Sequence, residues 1–331
     1  MKKFIKNLLQ FLLPIVILAF LYILAEDFFN PYYRHHEKLL TKKNMLSSHI
    51  INYNDEFGVY GDLIKLNGYK TDKKFSRNVE WISDNYGFRN NEFETNPDIV
   101  ILGDSNFHGF SVTQDSTLTN RLVNKYNLKV LNLSGSNYYL FFDLIEKQKI
   151  NKPKLLVLGR VERSINNLLI ANDANSKTFK NNYVNNSIYF FRFLERIERL
   201  YLINSTLKSM FNKKSQYKND FLFLKNSVVS DSIISDKTKK EFDILLKKIR
   251  QLDLDYLFIP VPNKSTIYWK EADLDNKPQF LSIFYDFLKK NNTNYIDLSN
   301  IFNNPNNLYY FKDDTHINNL GHYLISEEIY N

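Results

Sequence analysis

From Asp98 onward, short apolar runs recur along the chain, each closed by a turn signal and followed by a stretch with helical spacing. The runs are DIVILGDS (98–105), KVLNLSG (129–135), KLLVLGR (154–160), DYLFIPVP (255–262) and NYIDLS (294–299). Runs of Val, Ile, Leu, Phe and Tyr with little alternation mark strands buried on both faces, so they predict a parallel sheet of five strands. Crossover helices are expected at about 115–126, 138–150, 237–252 and 276–291, with a final helix from about Asn318 to Tyr330. Helices between parallel strands cover both faces of the sheet, and the expected fold is a three-layer α/β/α sandwich. Residues 164–235 break the rhythm. They are rich in Asn, Lys, Phe and Tyr, include the amphipathic SIYFFRFLERIERLYLI, and read as a helical insertion acting as a lid or partner-binding element. No internal repeat of domain-building length stands out.

A different pattern opens the chain. From Leu8 to Ala25 the run LLQFLLPIVILAFLYILA carries no charge, and as a helix it spans roughly 27 Å, enough to cross a bilayer. Lys2, Lys3 and Lys6 precede it and Glu26 and Asp27 follow. The positive-inside rule then keeps the N-terminus cytoplasmic and puts the body on the periplasmic or extracellular side. A cleaved signal peptide is the competing reading, although no A-x-A pattern ends the run. The expected organisation is a cytoplasmic tip and anchor over 1–30, a juxtamembrane stalk and lead-in over 31–95 (with Pro31 to about Ser48 a helix or stalk), and the α/β domain over 96–331.

Composition narrows the chemistry. With 331 residues, 44% of them hydrophobic, and only nine glycines and eight prolines, the chain is neither disordered nor fibrous and can bury a large core. Cysteine is absent, which removes disulfides, thiolate nucleophiles and Cys-based metal sites, and six scattered histidines do not suggest a His-rich one. Half of the net charge of +8 lies in residues 1–43, where seven basic side chains face three acidic ones. The remainder is too dilute for a nucleic-acid footprint.

In an open parallel sheet, sites form at the carboxyl ends of the strands. The first strand ends in Gly103-Asp104-Ser105-Asn106 and the second in Ser134-Gly135-Ser136-Asn137, while Lys312-Asp313-Asp314-Thr315-His316 precedes the last helix. A serine hydroxyl is a poor nucleophile until an imidazole takes its proton, and the imidazole needs a carboxylate to fix its tautomer and stabilise its cation. Ser105, His316 and Asp313 supply these roles. Each signal alone is weak, since a serine at that turn also serves as a helix cap; their order on a five-strand pattern makes the set specific.

On these residues the chain resembles the SGNH/GDSL hydrolase superfamily over roughly residues 84–331. Gly103-Asp104-Ser105 resembles its nucleophile block, Gly135 its second-block glycine and Asp313-x-x-His316 its final block. The resemblance implies serine-dependent acyl transfer or ester hydrolysis without metal or cofactor, with the N–H groups of Ser105 and Gly135 as oxyanion donors. One block departs: where the family has G-x-N-D, this chain reads Gly159-Arg160-Val161-Glu162. A lost oxyanion donor typically costs about 10²–10³ in rate, and Asn137, Arg160 and Arg163 stand as alternatives for its place. Asp314-Thr315-His316, Pro262-Asn263-Lys264 with Thr266-Ile267-Tyr268, and Val161-Glu162-Arg163 are similar to the membrane-associated SGNH-like polysaccharide O-acetyltransferases of the alginate type. In that type the acid can sit two residues before the histidine, which makes Asp314 the alternative to Asp313.

Other residues carry two readings each. Arg163 and Lys264 suit an anionic sugar or carboxylate through charge-assisted hydrogen bonds, or form structural ion pairs with Glu162 or an aspartate. His108 reads as packing rather than chemistry, His35 and His36 as surface residues near the membrane, and His322 as packing on the last helix. The aromatic stretches Tyr138–Phe142 and Tyr189–Phe193 either stack on sugars or fill core and lid.

The expected function is a membrane-anchored O-acyltransferase that acetylates a hydroxyl of a cell-envelope or secreted polysaccharide through an acyl-serine. The resemblance suggests a multi-spanning membrane O-acyltransferase as acetyl supplier. The alternatives are an esterase or deacetylase with the same triad, and a non-catalytic glycan-binding or assembly protein.

Overall fold

The computed structural model describes residues 50–54, 61–63, 77–136, 138–167, 215–218, 220–225, 233–304 and 306–331, with scattered positions between 3 and 21. Four strands form one parallel sheet: β3 (Ile99–Leu102), β4 (Val130–Asn132), β5 (Leu155–Val161) and β8 (Asp255–Val261), in the order β4-β3-β5-β8. β1 (Ile50–Asn54) and β2 (Asn78–Ile82) pair as an antiparallel ribbon, as do β6 (Ser215–Lys218) and β7 (Phe221–Leu224). The helices are α1 (Leu118–Tyr126), α2 (Tyr138–Glu146), α3 (Asp236–Gln251), α4 (Lys264–Ile267), α5 (Phe280–Lys290), α6 (Leu298–Ile301) and α7 (Asn319–Tyr330).

Alternation along the strands divides the core in two. Val100, Leu102, Leu131, Leu156 and Leu158 face α2, α3 and α5, meeting Phe141, Phe242 and Phe284. Ile99, Ile101, Val130 and Val157 face α1 and α7, meeting Leu118, Leu122 and Ile325. Successive side chains of a strand point to opposite faces, so an unbroken apolar run needs a helix layer on each side. Thr117 and Ser235 start α1 and α3 by accepting the N–H groups of Asn120 and Thr238.

The sheet is one strand short of the expected five. The run at 294–299 meets β8 at a single parallel bridge, Phe258 with Tyr295. Phe258 N–H donates to Asn294 O at 2.9 Å and Ile296 N–H to Phe258 O at 3.0 Å. The next residue of β8 facing that side is Pro260, which has no N–H to continue the ladder. Asp297 then accepts the N–H of Ser299 and starts α6.

Near its end the 164–235 insertion forms the β6–β7 ribbon, whose turn residue Asp220 has φ +67°. Phe221, Leu222 and Phe223 are buried, and Leu222 N–H donates to Lys312 O at 2.9 Å. The amphipathic run 187–203 and the proposed stalk Pro31–Ser48 lie outside the described residues. Residues 77–95 pack against the domain, with Trp81, Phe88 and Arg89 buried. Among the described residues no helix is long and apolar enough to cross a membrane, and the run Leu8–Ala25 lies partly outside them.

His322 joins α7 to α1, accepting Leu118 N–H on Nδ1 at 3.1 Å. Burial pushes its pKa down to about 3, as it does that of His108. The unfolded chain binds these protons near the ordinary 6.5 and the native state does not. This contribution to stability is therefore present above pH 6.5 and is lost toward pH 3, at up to about 1.4 kcal/mol per pH unit for each ring. Denaturant unfolding between pH 7 and 5 checks this: His322→Gln, whose amide oxygen can accept the same N–H, is expected to show a shallower loss than wild type.

Candidate active site

The turn that carries Ser105 is built from its glycine upward. After β3 the chain bends at Gly103, and Phe107 packs beneath the bend; a Cβ on Gly103 would lie 2.6 Å from the Phe107 side chain, and one on Gly159 at 2.0 Å. Asp104 braces the turn, accepting Asn106 N–H at 3.0 Å on one oxygen and Val161 N–H at 2.6 Å on the other. Asn106 Oδ1 accepts Ile317 N–H at 3.1 Å, tying the turn to the loop that carries His316. Half-buried Ser105 is thereby presented at the carboxyl edge of the sheet.

His316 Nε2 lies 2.6 Å from Ser105 Oγ. On its other side Nδ1 lies 2.7 Å from Asp314 Oδ1, which also accepts the His316 backbone N–H at 3.0 Å. With Nδ1–H donating to this carboxylate, Nε2 is the acceptor for the serine proton. The Phe110 ring meets the imidazole edge-on at a centroid distance of 5.3 Å.

The acid in contact with His316 is therefore Asp314, and the expectation of Asp313 is corrected. Asp313 points the other way, pairing with Arg77 Nη2 and accepting Gly61 N–H at 2.6 Å. Two residues is the spacing at which the carboxylate can grip both the ring and the backbone N–H of the histidine; Asp313 faces the lead-in segment instead. Burial raises the Asp313 pKa, opposed by Arg77. Asp314 Oδ2 accepts Ser111 O–H at 2.9 Å, with Arg77 Nη1 at 3.5 Å. Ser111 adopts φ +65°, an uncommon backbone that turns its hydroxyl onto Asp314.

The oxyanion donors differ from expectation as well. Gly135 N–H is engaged, donating to Gly103 O at 2.8 Å just as Leu133 N–H donates to Ile101 O at 2.9 Å. The β3–β4 ladder runs on past the strands and takes this donor. Ser105 N–H has no hydrogen-bond partner among the described residues, and Asn137 lies outside them. Val161, in the place of the G-x-N-D asparagine, is buried and apolar. Arg160 Nε donates to Ser164 O at 3.2 Å.

The two proposed substrate-binding cations have structural partners. Lys264 is buried, its Nζ among the carbonyls of Lys312 at 2.7 Å, Leu222 and Phe311 at 2.8 Å, and Asp314 at 3.3 Å. Burial pushes its pKa down to about 7 against the pull of Asp313, Asp314 and Asp62. Arg163 Nη1 donates to Asn263 Oδ1 at 3.2 Å, beside buried Glu162, which accepts Asn263 N–H at 2.8 Å and Thr266 O–H at 2.6 Å. Tyr138 and Phe141 belong to the core, and the Tyr189–Phe193 stretch, His35 and His36 lie outside the described residues. His108 stacks on Phe110 and meets the Trp81 ring at a tilt.

Sequence reasoning missed Asp62, Arg77, Ser111 and Arg89. Arg89 lies over Trp81 and holds the 108–112 loop through the carbonyls of His108, Gly109 and Val112. The 61–77 residues stand more than 230 positions before Asp313 and Asp314, and no local motif marks the pairing.

Asp314→Asn is expected to lower serine-dependent turnover by about 10³–10⁴-fold with the fold intact, as when a triad acid loses its charge. Asp313→Asn leaves Arg77 buried without its close partner and is expected to cost roughly 3–5 kcal/mol of stability. Ester turnover and thermal unfolding measured on both variants separate the two roles.

No protein-family model matches the chain, and no curated protein matches it. Among solved structures it is similar to a putative lipolytic protein of the G-D-S-L family from Desulfitobacterium hafniense, with 10% identity and TM-score 0.38 over 71% of this chain and 98% of that one. It is also similar to a member of the lipolytic G-D-S-L family from Veillonella parvula, with 12% identity and TM-score 0.36 over 70% and 95%. A third is an acetyl xylan esterase, with 13% identity and TM-score 0.36 over 70% and 98%.

Proposed function

We propose that this chain is a serine-dependent O-acyltransferase of SGNH/GDSL type, anchored to a membrane by Leu8–Ala25, that moves an acyl group, acetyl in the first instance, onto a hydroxyl of a cell-envelope or secreted polysaccharide. The observation that carries the chemistry is the continuous contact from Ser105 Oγ to His316 Nε2 at 2.6 Å and from His316 Nδ1 to Asp314 at 2.7 Å. Ser105 attacks the acyl carbonyl while His316 takes its proton at Nε2, and Asp314 stabilises the imidazolium. Ser105 N–H faces the developing oxyanion. As the tetrahedral intermediate collapses, His316 returns the proton to the leaving group. An acceptor hydroxyl, deprotonated in turn by His316, then attacks the acyl-serine and releases the acylated product. The acyl supply is proposed to come from a multi-spanning membrane O-acyltransferase.

A hydrolase reading shares every step but the last, with water as acceptor. It rests on the same Ser105–His316–Asp314 contacts. The loss of the G-x-N-D amide at Val161 favours slow turnover of unactivated esters in either case.

Intact mass spectrometry after exposure to an activated acetyl ester tests the shared step. The expected result is a gain of about 42 Da on Ser105, absent in Ser105→Ala, as nucleophilic catalysis requires. No adduct and no turnover would overturn the enzymatic reading and favour a non-catalytic glycan-binding role. Decay of the adduct accelerated by an oligosaccharide identifies the transferase; rapid decay in water alone identifies the esterase.

A further inference from the structure

The acid side of His316 holds a second carboxylate. Asp62 Oδ2 lies 3.8 Å from His316 Nδ1. Its position is held rather than adventitious: Asp62 accepts the Thr315 N–H at 2.8 Å and the Thr315 hydroxyl at 2.5 Å. Its neighbours are tied to the same loop, Gly61 N–H to the Asp313 carboxylate and Leu63 N–H to Asp313 O. Gly61 is pressed so close that a Cβ would lie 2.1 Å from Asp313 O.

Among the described residues, the groups facing the imidazole can be named from each element packed on it. Ser105 lies on Nε2, Asp314 on Nδ1 with the Thr315 hydroxyl at 3.4 Å, and Asp62 beyond Nδ1 at 3.8 Å, with the Phe110 ring across the edge. Behind Asp314 stand Arg77 and Ser111, with Asp313 paired to Arg77 and Lys264 beneath the loop carbonyls. On α7, the neutral His322 ring lies within electrostatic range.

Counted by formal charge, Arg77 and Lys264 stand against the carboxylates of Asp62, Asp313 and Asp314, and a proton on His316 brings the cluster to neutrality. Without Asp62 the same proton would leave a buried excess of positive charge, which is costly away from water. We propose that Asp62 is a positioning residue for the acyl chemistry, the counter-charge that balances the imidazolium formed at His316. This rests on the serine-dependent reading above. The competing role is a plain cap on Thr315, which needs an oxygen acceptor but no charge.

Asp62→Asn separates the two, because the amide oxygen still accepts Thr315 N–H and the amide N–H donates to the Thr315 hydroxyl in place of the second acceptor, while the charge is gone. The readout is the His316 ring titration in the full-length protein, followed by NMR of the labelled imidazole carbons and assigned with His316→Asn. An anion favours the protonated ring, so its removal is expected to move the midpoint to lower pH by about one unit. Asp62→Glu is expected to restore it, and Asp286→Asn on α5 to leave it unmoved. The acid limb of Ser105 labelling by a fluorophosphonate should shift in the same direction, with a slower plateau from the less basic imidazole. An unmoved midpoint in folded Asp62→Asn overturns the proposal. If Asp62→Asn does not fold, Asp62→Ser carries the same test, and failure of both to fold makes Asp62 a structural tie and overturns it too. The titration is read whether or not the protein turns over any ester, so this failure is distinct from failure of the acyl-transfer reading.

Discussion

The loop from Phe311 to His316 carries two adjacent carboxylates into the protein interior, and its burial has to be compensated. Asp313 and Asp314 are both fully buried. An isolated carboxylate there would be prohibitive, so the surrounding chain supplies cations and hydrogen-bond donors. Arg77 reaches in from the lead-in, Lys264 from the turn after β8, Gly61 N–H and Ser111 O–H from two further loops. Four separate parts of the chain thus converge because one loop has charges to satisfy, and that convergence fixes the His316 ring. Lys264 and Arg77 become scaffold for the same reason, since cations committed to carbonyls and a carboxylate are not offered to a substrate.

The serine side depends on a different constraint, the parallel ladder between β3 and β4. Its continuation from Leu133 to Gly135 aligns the second loop with the nucleophile turn, and in doing so uses the Gly135 N–H. Backbone donors near a sheet edge are claimed by the neighbouring strand whenever the register runs on. With Val161 in place of an amide, oxyanion support in the described site comes down to Ser105 N–H.

The sequence and the structure part where a residue's partner is remote. The apolar runs of β3, β4, β5 and β8 were legible because a strand buried on both faces has no polar alternation, a property local to the run. The fifth run looked the same, yet Pro260 on its neighbour ends the pairing after Phe258. Ser105 and His316 were legible because each sits at a strand end or loop marked by small and polar residues. The choice between Asp313 and Asp314 was not, since adjacent carboxylates in a loop differ only in which way the backbone turns. Arg163 and Lys264 looked equally fit for a ligand or a structural partner until Asn263 and the loop carbonyls were seen beside them.

By itself the sequence determined the layered α/β architecture, the strand ends where chemistry collects, and the serine and histidine that meet there. These follow from hydrophobic period and turn chemistry, which act over a few residues. Only the tertiary structure decided which aspartate faces the imidazole, which N–H groups remain for an oxyanion, and that Asp62, Arg77 and Ser111 complete the acid side. The pairing of Asp62, Arg77 and Ser111 with the 313–316 loop spans more than two hundred residues, and the use of the Gly135 N–H is set by the register of β4 on β3; neither leaves a mark in local spacing.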